Sequence, residues 1–197
     1  MAIEAPSRRR EIEDVASALF RERGYAATSV RDIARALDIQ GASLYAHVTS
    51  KEDVLWAIVD RAASAFEVGA GVALESARDG DAGSRLAALV RAHVAVIAAD
   101  PELAGVFVSE WRHLSGARRA AILDRRDAYE SRFRGVIEEG LASGLFSPTD
   151  PAVAATFVLT ALNGLAGWYR PGGRLTPDRI ADHYAELALR TVTEDHR

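Results

Sequence analysis

Five histidines are the first residues to test for chemistry: His47, His93, His113, His183 and His196. No two stand in a His-x3-His pair, and the chain has no cysteine, so no local metal-ligand set forms. The same absence removes disulfides and thiolate nucleophiles and fits a reducing compartment. No Gly-x4-Gly-Lys loop cradles a phosphate, and no Gly-x-Ser-x-Gly elbow presents a nucleophile. Asp and Glu are plentiful but fall mostly at helix caps and on polar helix faces. We expect no enzyme, no catalytic residue, no metal and no cofactor.

Residues that could bind, rather than react, are easier to find. Gly41, Ala42 and Ser43 carry almost no side-chain bulk, which permits a close backbone approach to another molecule. Tyr45 and His47 follow with polar tips. Lys51, the sole lysine, opens the next helix, where its ammonium and the free N-terminal amides can meet a phosphate together. The formal net charge is −4, and residues 1–50 are neutral, with seven Arg against seven Asp or Glu. Nucleic-acid binding therefore has to rest on arrangement, not on bulk charge. Arg8, Arg9 and Arg10 read as the solvated basic start of a helix.

The elements that must position these residues are helical almost throughout. Ile12, Val15, Ala16, Leu19 and Phe20 recur on one helix face, and Gly24 supplies the stop. Val30, Ile33, Ala34 and Leu37 form a second face, capped by Ser29 with Asp32 answering it. The turn Asp38-Ile39-Gln40 leads to a short third helix near Gly41–His47, anchored by Leu44 and Val48. Three short helices so joined describe a helix-turn-helix, whose third helix lies in a DNA major groove with its first residues at base edges. Ser50 and Asp53 cap a long fourth helix running to Glu75. Asp100-Pro101, Asp150-Pro151 and Thr176-Pro177 each start a later helix, since proline at the first position loses no hydrogen bond. A stripe from Ile122 to Leu141 ends at Gly144. No period-two alternation is sustained, so the expectation is all-α with about nine helices. We divide the chain into a helix-turn-helix domain over 1–50 and a helical effector-binding and dimerisation domain over 51–197. The start is polar without an apolar leader, and the longest unbroken apolar run, near Val94–Ala99, is too short to span a bilayer. The reading is a cytoplasmic chain with no membrane partner.

Thr28-Ser29-Val30-Arg31-Asp32-Ile33-Ala34, Ser43-Leu44-Tyr45-Ala46-His47-Val48 and Ser50-Lys51-Glu52-Asp53-Val54-Leu55 together resemble the N-terminal signature of TetR/AcrR-type transcriptional regulators. The match spans roughly Arg8–Leu55 in order and spacing. The resemblance implies a two-fold homodimer on double-stranded operator DNA and a C-terminal domain that senses a small ligand. By position it makes Ser29, Arg31, Gly41, Ala42, Ser43, Tyr45, His47 and Lys51 the DNA-binding candidates. Val48 stands where Phe is common, and Ala46 replaces a larger residue, which leaves fewer side chains for sequence readout.

The segment from Gly164 to Gly173, with its Trp-Tyr-Arg-Pro-Gly-Gly ending, is similar to the TetR branch that responds to fatty-acyl-CoA or steroid-derived CoA thioesters. Phe107, Trp111, Phe157 and Trp168 could wall an acyl or ring system, and Arg170 could fork onto a carboxylate or phosphate. These five are the effector-binding candidates. His93, alone on an apolar stripe, reads as a satisfied core histidine. Ala154, Ala161, Gly164 and Gly167, with Phe157 and Leu165, suit close approach of a second copy. Ile180, Tyr184, Leu187 and Val192 give the last helix a matching stripe, so the homodimer is expected through the last two helices. The function expected is a ligand-responsive regulator, a repressor released from palindromic operator DNA by a small hydrophobic effector such as an acyl-CoA. The alternative is a helical carrier or sensor of hydrophobic acyl ligands without sequence-specific DNA binding.

Overall fold

The computed structural model describes residues 8–148 and 150–193. Among these residues the chain forms α1 (Arg8–Arg23), α2 (Val30–Ala36), α3 (Gly41–Tyr45), α4 (Lys51–Ser76), α5 (Ala82–Ala99), α6 (Pro101–Ser109), α7 (Gly116–Ala142), α8 (Pro151–Trp168) and α9 (Pro177–Val192). A single 3-10 turn (Trp111–His113) separates α6 from α7. The described chain is thus all-α with nine α-helices, as the periodicity predicts. The 3-10 turn went unpredicted, because three residues cannot display a period. The polar start over residues 1–7 and His196 lie outside the described residues.

The helices group into two compact units: Met1–Ala62 with Glu102–Ile122, and Ala63–Pro101 with Leu123–Arg197. Neither is contiguous in sequence, and α4 and α7 each contribute residues to both.

In the first unit, Ile12, Ala16, Phe20, Ile33, Leu44, Val48, Leu55 and Ile58 are buried together in the core. The arginines that open α1 are consumed locally. Arg8 pairs with Glu11 at 2.6 Å, Arg9 with Glu13 at 3.4 Å and Arg10 with Asp14 at 3.2 Å. Arg61 of α4 reaches back to Glu13 at 3.0 Å and Asp14 at 2.9 Å, tying α4 to α1. The proposed Ser50–Asp53 box is half made. Ser50 accepts from the Asp53 N–H at 3.0 Å, but the Asp53 carboxylate turns to the Thr49 N–H at 3.3 Å and to Arg118 at 3.0 Å.

In the second unit, α5 packs chiefly against α9 and also against α8. Leu86, Leu89, Val90, Val94 and Ile97 supply its buried face. Asp150 accepts from the Ala152 N–H at 2.8 Å and Thr176 from the Arg179 N–H at 3.4 Å, so both Xaa-Pro starts are built as the sequence reads. The α7 stripe ends in the left-handed region at Gly144, φ +75°. The chain then folds Phe146 over Gly140, where any Cβ would collide with the ring. The Ser147 N–H donates to the Val192 carbonyl at 2.8 Å, holding this loop to the end of α9.

The length expectation for apolar segments needs a correction. By length and composition α5 and α8 are each long and apolar enough to cross a bilayer. No unbroken apolar run marks them, because Arg85, Arg91 and His93 interrupt α5, while Thr156, Thr160 and Asn163 interrupt α8. Both helices bury one face within the second unit, a property that core helices of soluble proteins share.

Candidate nucleic-acid interface

The second helix starts from a complete capping box. The Ser29 hydroxyl accepts from the Asp32 N–H at 3.2 Å, and the Asp32 carboxylate accepts from the Ser29 N–H at 2.9 Å. Hydrogen bonds from Ser29, hydroxyl and backbone, hold the Asp32 carboxyl below its usual range. The helix ends without glycine. Asp38 takes φ +53°, and the Ile39 N–H reaches back to the Ala34 carbonyl at 3.0 Å. That reversal is the Schellman type of helix stop, and Asp is among the few side chains that tolerate it. The chain then enters α3 after only Ile39 and Gln40, which gives the tight joint a helix-turn-helix requires.

Along α3 and the turn after it, burial separates two faces. Leu44 is fully buried and Val48 nearly so, whereas Ala42, Ser43, Tyr45 and His47 are exposed and Gly41 is half-buried. Tyr45 is 58% exposed, which rules out a core-edge role within this chain. Nothing lies within 4 Å of the place where a Cβ at Gly41 would stand, so the start of α3 is open to an approaching molecule. Arg31 is exposed and shares a shallow depression with Arg35, Asp38, Ile39, Gln40 and Gly41. Gln40 is a further candidate that the sequence pattern does not single out. It occupies the N-cap of α3 in extended conformation but makes no side-chain cap bond, leaving its amide on the open side of the turn. The signal was there: a Gln stood where Ser, Thr, Asp or Asn caps better.

Lys51 sits differently from its neighbours. Its ammonium donates to the Tyr25 and Thr28 carbonyl oxygens, both at 2.8 Å, and stands 4.0 Å from the centre of the Tyr25 ring. Two of its three N–H bonds thus hold the turn between α1 and α2, and burial lowers its pKa. Tyr25 is a hub. Its ring stacks on His113 at 5.0 Å, and its N–H donates to Glu110 at 3.1 Å. Burial raises the Tyr25 phenol pKa, and the nearby Glu52 charge adds to the rise. Glu52 in turn accepts from the Ser115 N–H at 3.0 Å, which lowers its own pKa.

The effector candidates fall in different settings. Phe107 and Trp111 are buried in the first unit, with the Arg112 and Arg119 guanidiniums 5.0 and 5.7 Å from the Trp111 ring. In the second unit Phe157 is 59% and Trp168 50% exposed. Phe157 lines a groove between α8 and α9 with Ala161, Tyr184, Leu187 and Thr191. Trp168 and Arg170 line a separate depression with Gly173 and Arg174. Val153, Phe157, Ala161, Gly164 and Trp168 form one exposed stripe of α8. Ala154 and Leu165, grouped with that stripe from sequence, point inward, as do Ile180 and Val192 on α9. Among the described residues no cluster of three His, Asp or Glu could hold a metal.

A capped short helix, a three-residue turn and a second helix with one buried and one open face define a helix-turn-helix module. Comparison with known proteins agrees with that class. Residues 12–58 match the family model described as bacterial regulatory proteins of the tetR family, and residues 79–192 match the tetracyclin repressor-like C-terminal domain. The HTH-type transcriptional repressor KstR2 of Rhodococcus jostii is 34% identical over 96% of this chain and 93% of its own. The structure of the ketosteroid transcriptional regulator KstR2 of Mycobacterium tuberculosis, 29% identical, superposes with a TM-score of 0.89 and covers 98% of each chain. AibR, solved in complex with isovaleryl coenzyme A and operator DNA, is 30% identical with a TM-score of 0.80, covering 92% of this chain and 97% of its own. The chain belongs to the TetR family of bacterial regulatory proteins.

Proposed function

We propose that this chain is a cytoplasmic repressor, not an enzyme, that binds palindromic operator DNA as a homodimer and is released by a small hydrophobic acyl-CoA effector. One observation carries the DNA half. Ala42, Ser43, Tyr45 and His47 stand open on α3 and the turn after it, while Leu44 and Val48 fix the helix on its core. That arrangement suits a recognition helix, with Gln40, Arg31 and Ser43 toward base edges and Ser29, Tyr45, His47 and the third N–H of Lys51 toward phosphates. Gly41 and Ala42 keep the approach close. DNA binding is assigned to residues 1–50 with Lys51 at their edge, and effector binding and dimerisation to 51–197.

The dimer is assigned to the exposed faces of α8 and α9, where Phe157, Ala161, Tyr184 and Leu187 line an uncovered apolar groove. Small residues at Ala161 and Gly164 suit close helix approach. Similarity to AibR, solved with isovaleryl coenzyme A, supports an acyl-CoA effector. Trp168 beside Arg170 and Arg174 suits a ligand that is both hydrophobic and phosphorylated. Phe157, on the same unit, remains a candidate for contact with its apolar part, whereas Phe107 and Trp111 belong to the first unit.

Release requires differential affinity. Two recognition helices must lie about 34–36 Å apart to enter successive major grooves. An effector that binds better to a dimer of different spacing shifts the population off DNA, and one that binds both equally shifts nothing. α4 runs unbroken from Lys51 to Ser76 and begins at the residue that holds the α1–α2 turn.

The test is fluorescence anisotropy of a duplex from the gene's own flanking region against a scrambled duplex, over a salt series, with and without isovaleryl-CoA. Tight, salt-dependent binding to the native duplex, weakened by the thioester, is expected. Equal weak binding to both duplexes would instead favour a helical acyl carrier, a reading that the neutral head and its internally paired arginines support.

A further inference from the structure

His93 is only 2% exposed, and its two ring nitrogens have different fates. Nδ1 lies 3.1 Å from the Tyr129 hydroxyl, whereas Nε2 is buried with no hydrogen-bond partner. The surroundings are aromatic. Phe66 of α4 stands 4.6 Å from the imidazole, and Tyr129 of α7 5.8 Å, with Phe133 5.6 Å beyond Tyr129. All four residues belong to the second unit. The satisfied core histidine expected from the sequence is therefore only half satisfied.

The 3.1 Å contact fits either tautomer, and we assign it from the Tyr129 hydroxyl's need for an acceptor, which Nδ1 supplies. An imidazole that accepts at Nδ1 carries its own proton on Nε2. The ring is neutral, because burial, with the Arg126 charge adding to it, pushes its pKa down to about 3. The result is an N–H donor in an apolar setting with nothing to receive it. Such an orphan costs roughly 1–3 kcal/mol, and native chains rarely keep one without a use.

We infer that His93 Nε2–H is an effector contact, donating to an uncharged carbonyl oxygen on a ligand whose apolar part packs beside Phe66 and Tyr129. Tyr129 is the positioning residue, fixing the tautomer through Nδ1. The inference rests on the ligand-responsive reading above and narrows it, since a thioester or ketone carbonyl supplies the acceptor and a plain hydrocarbon does not. Discrimination would be steep, because a ligand lacking the acceptor leaves the N–H unpaired.

The experiment uses the full-length dimer labelled with 15N-histidine. Two-bond 15N–1H spectra identify the protonated nitrogen of His93, and isovaleryl-CoA is then titrated while operator affinity is followed in parallel. His93 is expected to be Nε2-protonated and unbonded in the free protein, with a downfield Nε2 shift as the thioester binds. His93→Phe combined with Tyr129→Phe removes both polar atoms, should keep the melting temperature, and should weaken thioester binding about tenfold or more, the equivalent of one hydrogen bond. An Nδ1-protonated ring, or an Nε2 signal unmoved while isovaleryl-CoA releases operator, overturns the inference. If isovaleryl-CoA neither binds nor releases operator, its selection as effector fails separately. The titration is then repeated with a carbonyl-bearing steroid: an Nε2 shift on binding upholds the inference, and an Nε2–H already bonded to an internal water in the free protein overturns it.

Discussion

Lys51 and Tyr25 are joined twice. The Lys51 ammonium donates to the Tyr25 carbonyl oxygen at 2.8 Å and stands 4.0 Å from the centre of the same residue's ring. A lysine that family resemblance assigns to phosphate thus also carries a structural duty, since it closes the turn that presents α2. Tyr25 passes the connection on to His113 and Glu110, so the residues between α6 and α7 bear directly on the α1–α2 turn.

Lys51→Ala should therefore do two separable things. Loss of two charge-assisted bonds and a cation–π contact should lower stability by about 2 kcal/mol. If the third N–H meets a phosphate, the salt slope of operator binding should also fall by about one unit. Denaturant melts measure the first effect and anisotropy across salt the second. A lower melting point with an unchanged slope would leave Lys51 a purely structural residue.

Gln40→Ala and Tyr45→Ala should separate readout from affinity. The unengaged Gln40 amide can form a bidentate pair with adenine, so its loss should relax specificity at one base pair per half-site by about 1–3 kcal/mol. Loss of the Tyr45 side chain should weaken binding to every sequence by a similar factor. Because both residues are exposed, melting temperature and dimer mass should not change. Binding arrays over all single-base variants of the operator would detect the difference. Uniform weakening by Gln40→Ala would assign it to the backbone.

Local signals were legible in the sequence and distant ones were not. The Ser29–Asp32 box and the prolines at 101, 151 and 177 work within three or four residues, and each stands where it was expected. The same holds for Leu44 and Val48, whose spacing reveals the buried face of α3 and the turn after it. Lys51 bonds carbonyls 26 and 23 residues away, and no pattern in its own segment records them. Asp38 adopts a left-handed conformation usually announced by Gly or Asn. Phe157 and Trp168 illustrate the limit of periodicity. An aromatic at helical spacing reads alike whether it faces its own core or a second copy, and only burial shows that these two face outward.

Leu187→Glu tests the interface assignment. Leu187 is 59% exposed on α9 and lines the groove with Phe157 and Tyr184. A carboxylate there costs the lone chain little, but in a dimer it would be buried without a partner, at several kcal/mol for each copy. Sedimentation velocity at micromolar concentration should show monomer, with helical content retained and operator affinity greatly reduced. A dimer that survives the substitution would put the two-fold axis on another face.

The buried imidazole makes stability depend on pH in a direction that can be worked out. His93 titrates near 6.5 when unfolded and is pushed down to about 3 by burial, with Arg126 contributing. Between those values the unfolded chain holds a proton that the folded chain does not, so unfolding takes up a proton and stability falls as pH falls. Its contribution is complete above about pH 6.5 and is lost progressively toward pH 3, by up to about 1.4 kcal/mol per pH unit for each chain. Carboxylates such as Asp32, Glu52 and Glu67, whose pKa values are lowered, also lose stabilisation on acidification, but they do so equally in wild type and variant. The difference between wild type and the His93→Phe, Tyr129→Phe double variant therefore isolates the histidine. Urea melts from pH 4 to 7.5 at fixed protein concentration should show the wild type losing stability more steeply below pH 6.5 than the variant. Parallel curves would mean that His93 takes up its proton in the folded chain.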